Sequence, residues 1–239
     1  MAAGHAVSRE EPGVQPVDTP HTRERQRRDM APTSNGKSRK VTFLPAGLDR
    51  KTSEELVGLL QARLVALIDL GLTIKHVHWN VVGPHFIGVH QMLDPQAAAV
   101  NELIDQCAER ITTLGGSPDG RPGTIVAQRQ WDDYSLGRDL VDAHLAALDQ
   151  VYIGVITSHR DAIEKTEDLD PVTQDMLIEQ TEALEQFHWF VRAHLEDAGG
   201  RLADAGDSTE QGAAESARRA TDSPAPAKRT PAKRGAAKR

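Results

Sequence analysis

The 239-residue chain has few cysteines, few aromatic residues and no long apolar run. A single cysteine, Cys107, excludes an intramolecular disulfide. Without 18 or more consecutive apolar residues, and without a signal-peptide pattern behind Met1, the chain is expected to be soluble and cytoplasmic, with no membrane partner. Aromatic residues make up only 4% of the chain, which also has 13 prolines; this composition is typical of a globular domain with polar extensions.

Charge is distributed unevenly along the chain. Residues 1–40 carry eight Lys/Arg against five Asp/Glu, and residues 217–239 carry eight against one. Since the whole chain has a net charge of −7, residues 41–216 carry −17. An acidic body with basic ends suits a protein that binds cations in its body and polyanions at its ends. The alternative is a solvated acidic surface with tails that serve only solubility.

Helical periodicity predicts four long helices and no strands. The first follows a capping-box spacing at Thr52 and Glu55, and the last has Asp170 placed as N-cap before Pro171. Glycine pairs 115–116 and 199–200 are predicted to end the second and fourth helices. The predicted helices cover about residues 53–80, 87–114, 136–165 and 171–198.

Four helices with one longer central connection describe an all-α, ferritin-like four-helix bundle with a crossover. The predicted bundle occupies residues 41–203, and the central Pro/Gly-rich connection is expected to be irregular. Residues 1–40 lack an apolar period and are interpreted as a disordered basic tail. Residues 204–239 are interpreted as a disordered basic C-terminal tail.

Metal-ligand side chains share one stripe of the second helix. At about 100° per residue, with His90 at zero, Asp94 lies near 40°, Asp105 near 60° and Glu109 near 100°. Acidic side chains on a bundle helix normally face water unless a metal or a partner compensates them. Imidazole and carboxylate together are ligands of non-haem iron, so this stripe predicts a metal site.

The axial spacing of these residues affects where the site can form. Asp94 and Asp105 are eleven residues apart, about 16 Å along a helix, too far for one pair of metal ions about 4 Å apart. If a second copy packs antiparallel through a two-fold axis, its Asp105 and Glu109 come opposite the first copy's His90 and Asp94, and His78 approaches from the adjacent helix. Two equivalent intersubunit sites would then form.

The segment from Lys75 to Gly115 resembles the Dps family, the mini-ferritins. It contains His-Trp-Asn at 78–80, a His twelve residues after His78, an Asp four residues later, then Asp-x-x-x-Glu-Arg and Leu-Gly. The resemblance extends over roughly residues 45–200. It implies a hollow shell of twelve subunits with a ferroxidase centre at each dimer interface, where iron is oxidised preferentially by hydrogen peroxide and stored as a ferric mineral.

The resemblance also assigns residues. One subunit would supply His78, His90 and Asp94, and its mate would supply Asp105 and Glu109. Trp79 would lie beside the iron as part of the catalytic site, although simple core packing is the alternative for it. Near the start of the fourth helix, the resemblance suggests a negative pore that draws Fe²⁺ inward, lined by Asp170, Asp175 and Glu179. For Asp170, helix capping is the alternative.

Other candidate ligands are weaker. Glu185-x-x-His188 is formally a ligand pair of larger di-iron bundles, but it occurs once. Pro95 follows Asp94 inside the second helix, where it should kink the helix and either aim or weaken the site. The remaining histidines of the bundle are interpreted as core or surface residues: His76, His85, His144, His159 and His194.

The C-terminal end repeats a Pro/Ala-Ala-Lys-Arg unit every five residues. Such a segment can neutralise DNA phosphates but cannot read bases, so we expect non-specific DNA binding, with a solubility tail as the alternative. Twelve copies on a shell would add affinity by multivalency. The basic residues predicted to bind DNA are Arg218, Arg219, Lys228, Arg229, Lys233, Arg234, Lys238 and Arg239.

The residues and the resemblance together therefore predict an iron-oxidising, iron-storing shell that is associated with the nucleoid. This shell is expected to bind DNA and to protect the DNA from oxidative damage. One alternative is an architectural DNA-compacting shell whose metal site is weak or holds another ion such as zinc, because His/carboxylate sites do not by themselves select iron. A helical scaffold without chemistry is a third interpretation, and the ligand stripe argues against it.

Overall fold

A computed structural model describes residues 43–197 and 199–222. Long helices dominate, as predicted, with one short helix in the central connection and one after the bundle. The elements in chain order are α1 (Arg50–Asn80), β1 (Val81–Val82), α2 (Phe86–Thr113), α3 (Pro122–Gln128), β2 (Asp139–Leu140), α4 (Val141–Thr166), α5 (Pro171–Leu195) and α6 (Glu210–Asp222).

The first helix begins earlier than the sequence predicts. Asp49, and not Thr52, is the N-cap, and its carboxylate accepts a hydrogen bond from the Thr52 backbone N–H at 2.8 Å. The capping-box prediction was wrong because Asp49 supplies an acceptor one turn upstream. Along α1 the apolar period is confirmed, since Leu56, Leu60 and Leu67 are fully buried.

Helix α2 runs without interruption through Pro95, from Phe86 to Thr113. It ends at Thr113, just before the glycine pair 115–116, as predicted. Gly115 has φ +84°, and a Cβ on Gly116 would lie 2.8 Å from the Val57 side chain. Only glycine therefore allows the chain to leave α2 so close to α1.

The bundle consists of two helix pairs, α1 with α2 and α4 with α5. Contacts between α1 and α4 join the two pairs. Asp170 caps α5 as predicted, accepting from Thr173 N–H at 3.1 Å. Helix α5 ends at Leu195, before the glycines at 199 and 200, and α4 begins only at Val141. The central connection is not wholly irregular, because α3 lies within it and β2 pairs in parallel with β1, contrary to the prediction of no strands.

By length and composition, α1 alone among the described helices is long and apolar enough to span a bilayer. Core helices of soluble proteins meet the same criterion, and half of its apolar stretch is buried in the bundle. Charged Arg63, Asp69 and Lys75 interrupt the apolar sequence of α1.

Cys107 lies against α1 in the same core, donating to the Leu60 carbonyl at 3.3 Å, and burial raises its thiol pKa to about 12.

The largest departure from the sequence prediction is α6, which lies in the segment interpreted as a disordered tail. It packs on α4 through three alanines with no exposed surface, Ala213, Ala214 and Ala217. Polar contacts hold both of its ends: Glu210 accepts from the Ser135 backbone N–H at 2.9 Å, and Thr221 donates to Asp142 at 2.7 Å. Residues 210–222 therefore belong to the folded body.

Arg218 anchors α6 through an ion pair with Asp139. The hydrogen bond from Arg218 holds the pKa of the Asp139 carboxyl below its usual range. A depressed carboxyl pKa adds stability above the ordinary pKa of about 4, and that stability is lost as pH falls through the lowered value. Because acidification protonates Asp139 and breaks this ion pair, the attachment of α6 to the body should weaken at low pH.

We predict that Asp139→Asn weakens the attachment of α6 by about 1 kcal/mol at neutral pH, because it removes one partner of a partly exposed ion pair. Trypsin should then cleave after Arg218 or Arg219 roughly fivefold faster, since cleavage requires local opening of the helix. Asp132→Asn, at an exposed position outside α6's contacts, is the matched control. Equal cleavage rates in the two variants would contradict an anchoring role for Asp139.

Candidate metal centre

Two reciprocal hydrogen bonds join His78 at the end of α1 to His90 in the first turns of α2. His78 Nδ1 lies 2.8 Å from the His90 carbonyl oxygen, and His90 Nδ1 lies 2.9 Å from the His78 carbonyl oxygen. The two rings stack, with centroids 3.7 Å apart and planes 20° from parallel. A carbonyl only accepts, so both Nδ1 atoms donate, and in the neutral imidazoles each Nε2 carries the lone pair a metal needs.

Local backbone geometry makes this pairing possible. Gly83 has φ +99° and His85 has φ +66°, so the turn between α1 and α2 uses left-handed conformations at two positions within three residues. His85 is the N-cap of α2 and makes no side-chain capping bond. Such backbone persists when surrounding structure enforces it. Here the turn reverses the chain tightly enough to bring His90 onto His78.

Asp94 lies at the exposed edge of the histidine pair. Its Oδ1 accepts from Lys75 Nζ at 2.8 Å and lies 3.4 Å from His78 Nδ1. The hydrogen bond from Lys75, followed by the nearby histidines, keeps the pKa of Asp94 below its usual range. Asp94 is therefore a carboxylate at neutral pH, and a cation that binds it must compete with Lys75.

Sequence reasoning missed Lys75 as part of this arrangement. The signal was present, because Lys75 precedes His78 by three residues and so shares its helix face. Its ammonium also lies 5.6 Å from the centroid of the Trp79 ring. Lys75 thus connects the predicted ligand Asp94 with the predicted catalytic Trp79.

The structure separates the five predicted ligands into two groups. His78, His90 and Asp94 come together, whereas Asp105 and Glu109 lie exposed farther along α2. Over the residues that the structure describes, no three His, Cys, Asp or Glu side chains within one chain converge closely enough to hold a metal ion. One chain therefore presents the predicted ligands as two separate, incomplete groups.

Large apolar side chains stand exposed around the histidine pair. Trp79 is 70% exposed, so the core-packing alternative for it was wrong. Ile87 is 54% exposed, and the ring centroid of the half-exposed Phe86 lies 5.7 Å from that of His90. Exposed apolar surface of this kind, rimmed by polar groups, marks interaction sites.

The predicted pore residues differ in their surroundings. Asp170 is nearly buried; it caps α5, accepts from Thr173 Oγ1 at 2.5 Å and pairs with Arg110. Burial opposes ionisation of Asp170, but the bonds from Thr173 and Arg110 outweigh it and lower its pKa. The structure thus gives Asp170 the capping role that was its alternative, whereas Asp175 and Glu179 are exposed.

The weaker ligand candidates have other partners. Glu185 pairs with Arg160, while His188 Nε2 lies 2.7 Å from Asp149 Oδ1, so the two do not form a joint metal site. His144 and His159 are fully buried, as expected for core histidines, and burial lowers the pKa of His159 to about 4. His85 is exposed.

The predicted DNA-binding residues fall mostly outside the described residues. Arg218 is engaged in the ion pair with Asp139 that anchors α6. Arg219 lies on the exposed side of α6, 4.0 Å from Glu215. The remaining six, beyond residue 222, are Lys228, Arg229, Lys233, Arg234, Lys238 and Arg239.

Comparison with known proteins supplies independent information. A model of the ferritin-like domain matches residues 57–199. The DNA protection during starvation protein of Mycolicibacterium smegmatis is 59% identical over 179 residues, covering 75% of this chain and 98% of that protein. The corresponding protein of Agrobacterium fabrum is 31% identical over 151 residues, covering 63% of this chain and 93% of that one.

Solved structures agree with the sequence comparison. The structure of Mycobacterium smegmatis Dps has a TM-score of 0.70 and 59% identity, covering 72% of this chain and 98% of that one. Dps from Microbacterium arborescens in the high iron form has a TM-score of 0.60 and 26% identity, covering 65% and 100%. The chain belongs to the Dps family of ferritin-like proteins.

Proposed function

We propose that this protein oxidises Fe²⁺ with hydrogen peroxide at a centre shared by two subunits and stores the ferric product inside a shell of twelve. The observation that carries the proposal is the histidine pair, His78 and His90, whose Nδ1 atoms are occupied by backbone carbonyls so that both Nε2 atoms are free to bind metal. Asp94 adds a carboxylate at its edge.

A second subunit supplies what one chain lacks. Asp105 and Glu109 are about 16 Å and more along α2 from Asp94, too far to complete its site. An antiparallel two-fold pairing of α2 helices brings the partner's copies of these carboxylates across to the histidine pair. The exposed Trp79 and Ile87 support this arrangement, because pairing would bury them.

The chemistry follows from the charges that the site offers. Two Fe²⁺ each give one electron to one hydrogen peroxide, and with two protons the products are two Fe³⁺ and two water molecules. Because both electrons reach the same peroxide, its O–O bond breaks without releasing hydroxyl radical. The carboxylates Asp94, Asp105 and Glu109 offset the charge that increases on the iron. Iron is here the substrate and the stored product.

DNA binding would come from the C-terminal residues beyond α6. Residues 223–239 contain six Lys/Arg and no Asp/Glu, whereas residues 41–216 carry −17. The acidic body repels phosphate, so the basic segment must provide the contacts, without base specificity. We place the assembled protein in the cytoplasm, associated with the nucleoid, where stored iron no longer reacts near DNA.

The shared centre predicts complementation between two inactive variants. His90→Gln and Asp105→Asn should each lose most of the peroxide-dependent Fe²⁺ oxidation. In shells reassembled from an equal mixture, half of the dimers are mixed and each restores one of two sites, so about one quarter of the wild-type rate should return. Stopped-flow absorbance of ferric product measures the rate.

Glu102→Gln, an exposed carboxylate on the same helix, is the matched control and should leave the rate unchanged. Mass spectrometry of labelled subunits shows whether mixed dimers have formed. If they have formed and no activity returns, the centre is not shared between subunits in this way.

The basic segment predicts separable functions. Deleting residues 223–239 removes six positive charges per subunit and keeps α6, so iron oxidation should persist while DNA affinity falls. For each DNA phosphate that the protein no longer neutralises, the log–log salt slope should decrease in magnitude by about 0.9. Gel-shift titrations at several salt concentrations measure both effects. Unchanged affinity and slope would contradict this assignment and indicate that the N-terminal basic residues bind DNA instead, including Arg23, Arg25, Arg27 and Arg28.

A further inference from the structure

Two aspartates outside the metal centre face each other in a buried position. Asp149 on α4 and Asp204, in the loop between α5 and α6, each have only 3% of their surface exposed. Neither Oδ1 nor Oδ2 of Asp204 has a hydrogen-bond partner, although both atoms are buried. The two carboxyl groups lie within hydrogen-bonding reach of each other, which brings two acidic side chains into contact away from water.

The basic side chains nearby contact Asp149. Asp149 Oδ1 lies 2.7 Å from His188 Nε2 and 3.8 Å from Arg192 Nε, both on α5, and Asp149 Oδ2 lies 3.5 Å from Gln150 Nε2. On its own loop, Asp207 adds a further negative charge near Asp204, while Arg201 is paired with Asp197. Asp149 thus has basic side chains beside it, whereas the group that favours ionised Asp204 is its own backbone N–H.

When two carboxyl groups lie in contact away from water, ionising both costs more free energy than ionising them separately in water. A proton shared between them removes this repulsion. Burial first, and then the charge of Asp149, raises the pKa of Asp204 above its ordinary value. A protonated Asp204 would donate its O–H to the Asp149 carboxylate, giving its buried hydroxyl an acceptor.

We propose that Asp149 and Asp204 share one proton and form an acid latch that fastens the segment from Glu196 to α6 onto α4. The latch sits where that segment changes direction. Ala203, directly before Asp204, donates its N–H to the Leu195 carbonyl at 3.0 Å, and the Asp204 carbonyl accepts from Asp207 N–H at 3.0 Å. Beyond Asp207 the chain enters α6 and returns along α4.

The pH dependence has a definite sign. A carboxyl whose pKa is raised by folding stabilises the attached state fully below its ordinary pKa of about 4, and this contribution fades as pH rises through the raised value. Ionised Asp204 then repels Asp149 and Asp207, and His188 and Arg192 offset only part of this. The Asp139–Arg218 pair has the opposite dependence, since it weakens on acidification. Attachment of α6 is therefore strongest at a pH above the range in which Asp139 is protonated and below the range in which Asp204 ionises.

Hydrogen exchange in the full-length, assembled protein tests the latch. Amides of residues 213–221 are followed by mass spectrometry from pH 5 to pH 8, with exchange corrected for its intrinsic pH dependence. In the wild type we expect opening of α6 to increase severalfold toward pH 8. In Asp204→Asn the side-chain amide donates to Asp149 at every pH, so the increase in opening toward pH 8 should be clearly smaller than in the wild type. Asp207→Asn is the matched control and should retain most of the wild-type dependence.

A second measurement, on the wild type alone, guards against misfolding of the variant. Infrared spectroscopy should show a protonated carboxyl band that persists above the ordinary aspartate pKa. The proposal is overturned if this band is missing, if wild-type opening is independent of pH, or if Asp204→Asn keeps the wild-type dependence. Restoration of tight α6 attachment at pH 8 by Ca²⁺ or Mg²⁺ would also overturn it, because a metal ion would then replace the proton.

Discussion

The reciprocal hydrogen bonds between His78 and His90 are the contact on which the metal centre depends. Each imidazole donates to the backbone of the other residue, so the same two bonds close the α1–α2 turn and orient both rings. Because Nδ1 is used internally, Nε2 remains for a ligand. The side chains that would complete the proposed ligand set lie farther along α2, so the proposed centre requires a second subunit.

Much of this arrangement could be predicted from sequence because the signals are periodic. The leucines of α1 recur at helical spacing and are buried, and the stripe from His90 to Glu109 follows from 3.6 residues per turn. The spacing also predicted that Asp94 and Asp105 would be separated. Spacing places Lys75 on the same face of α1 as His78, but it does not contain the contact of Lys75 with Asp94, which depends on α1 and α2 being adjacent in space.

Helix α6 was missed for a physical reason. Its buried face consists of Ala213, Ala214 and Ala217, small side chains that bury little apolar area, and most of its other residues are polar, so the segment resembles a hydrophilic tail although its alanines share one face. Its attachment comes from tertiary contacts such as Arg218 with Asp139, which local propensity cannot anticipate. The same helix ends at Asp222, directly before the basic C-terminal residues in the sequence.

Charge has separate roles in different parts of the chain. The carboxylates Asp105 and Glu109 on α2 are exposed in one chain, whereas Asp170 and Asp139 are paired with arginines and stabilise helix ends. Asp149 and Asp204 form a third class, in which like charges meet without water. Acidic residues alike in sequence are thus distinguished only by the groups that face them.

The most direct measurement of the central claim is anaerobic Fe²⁺ loading of the assembled protein, followed by hydrogen peroxide, with iron per particle counted and hydroxyl radical trapped. The account predicts that two Fe²⁺ are consumed per peroxide, that iron accumulates well beyond the number of centres, and that almost no radical adduct forms. Consumption of one Fe²⁺ per peroxide, with abundant hydroxyl radical, would contradict it.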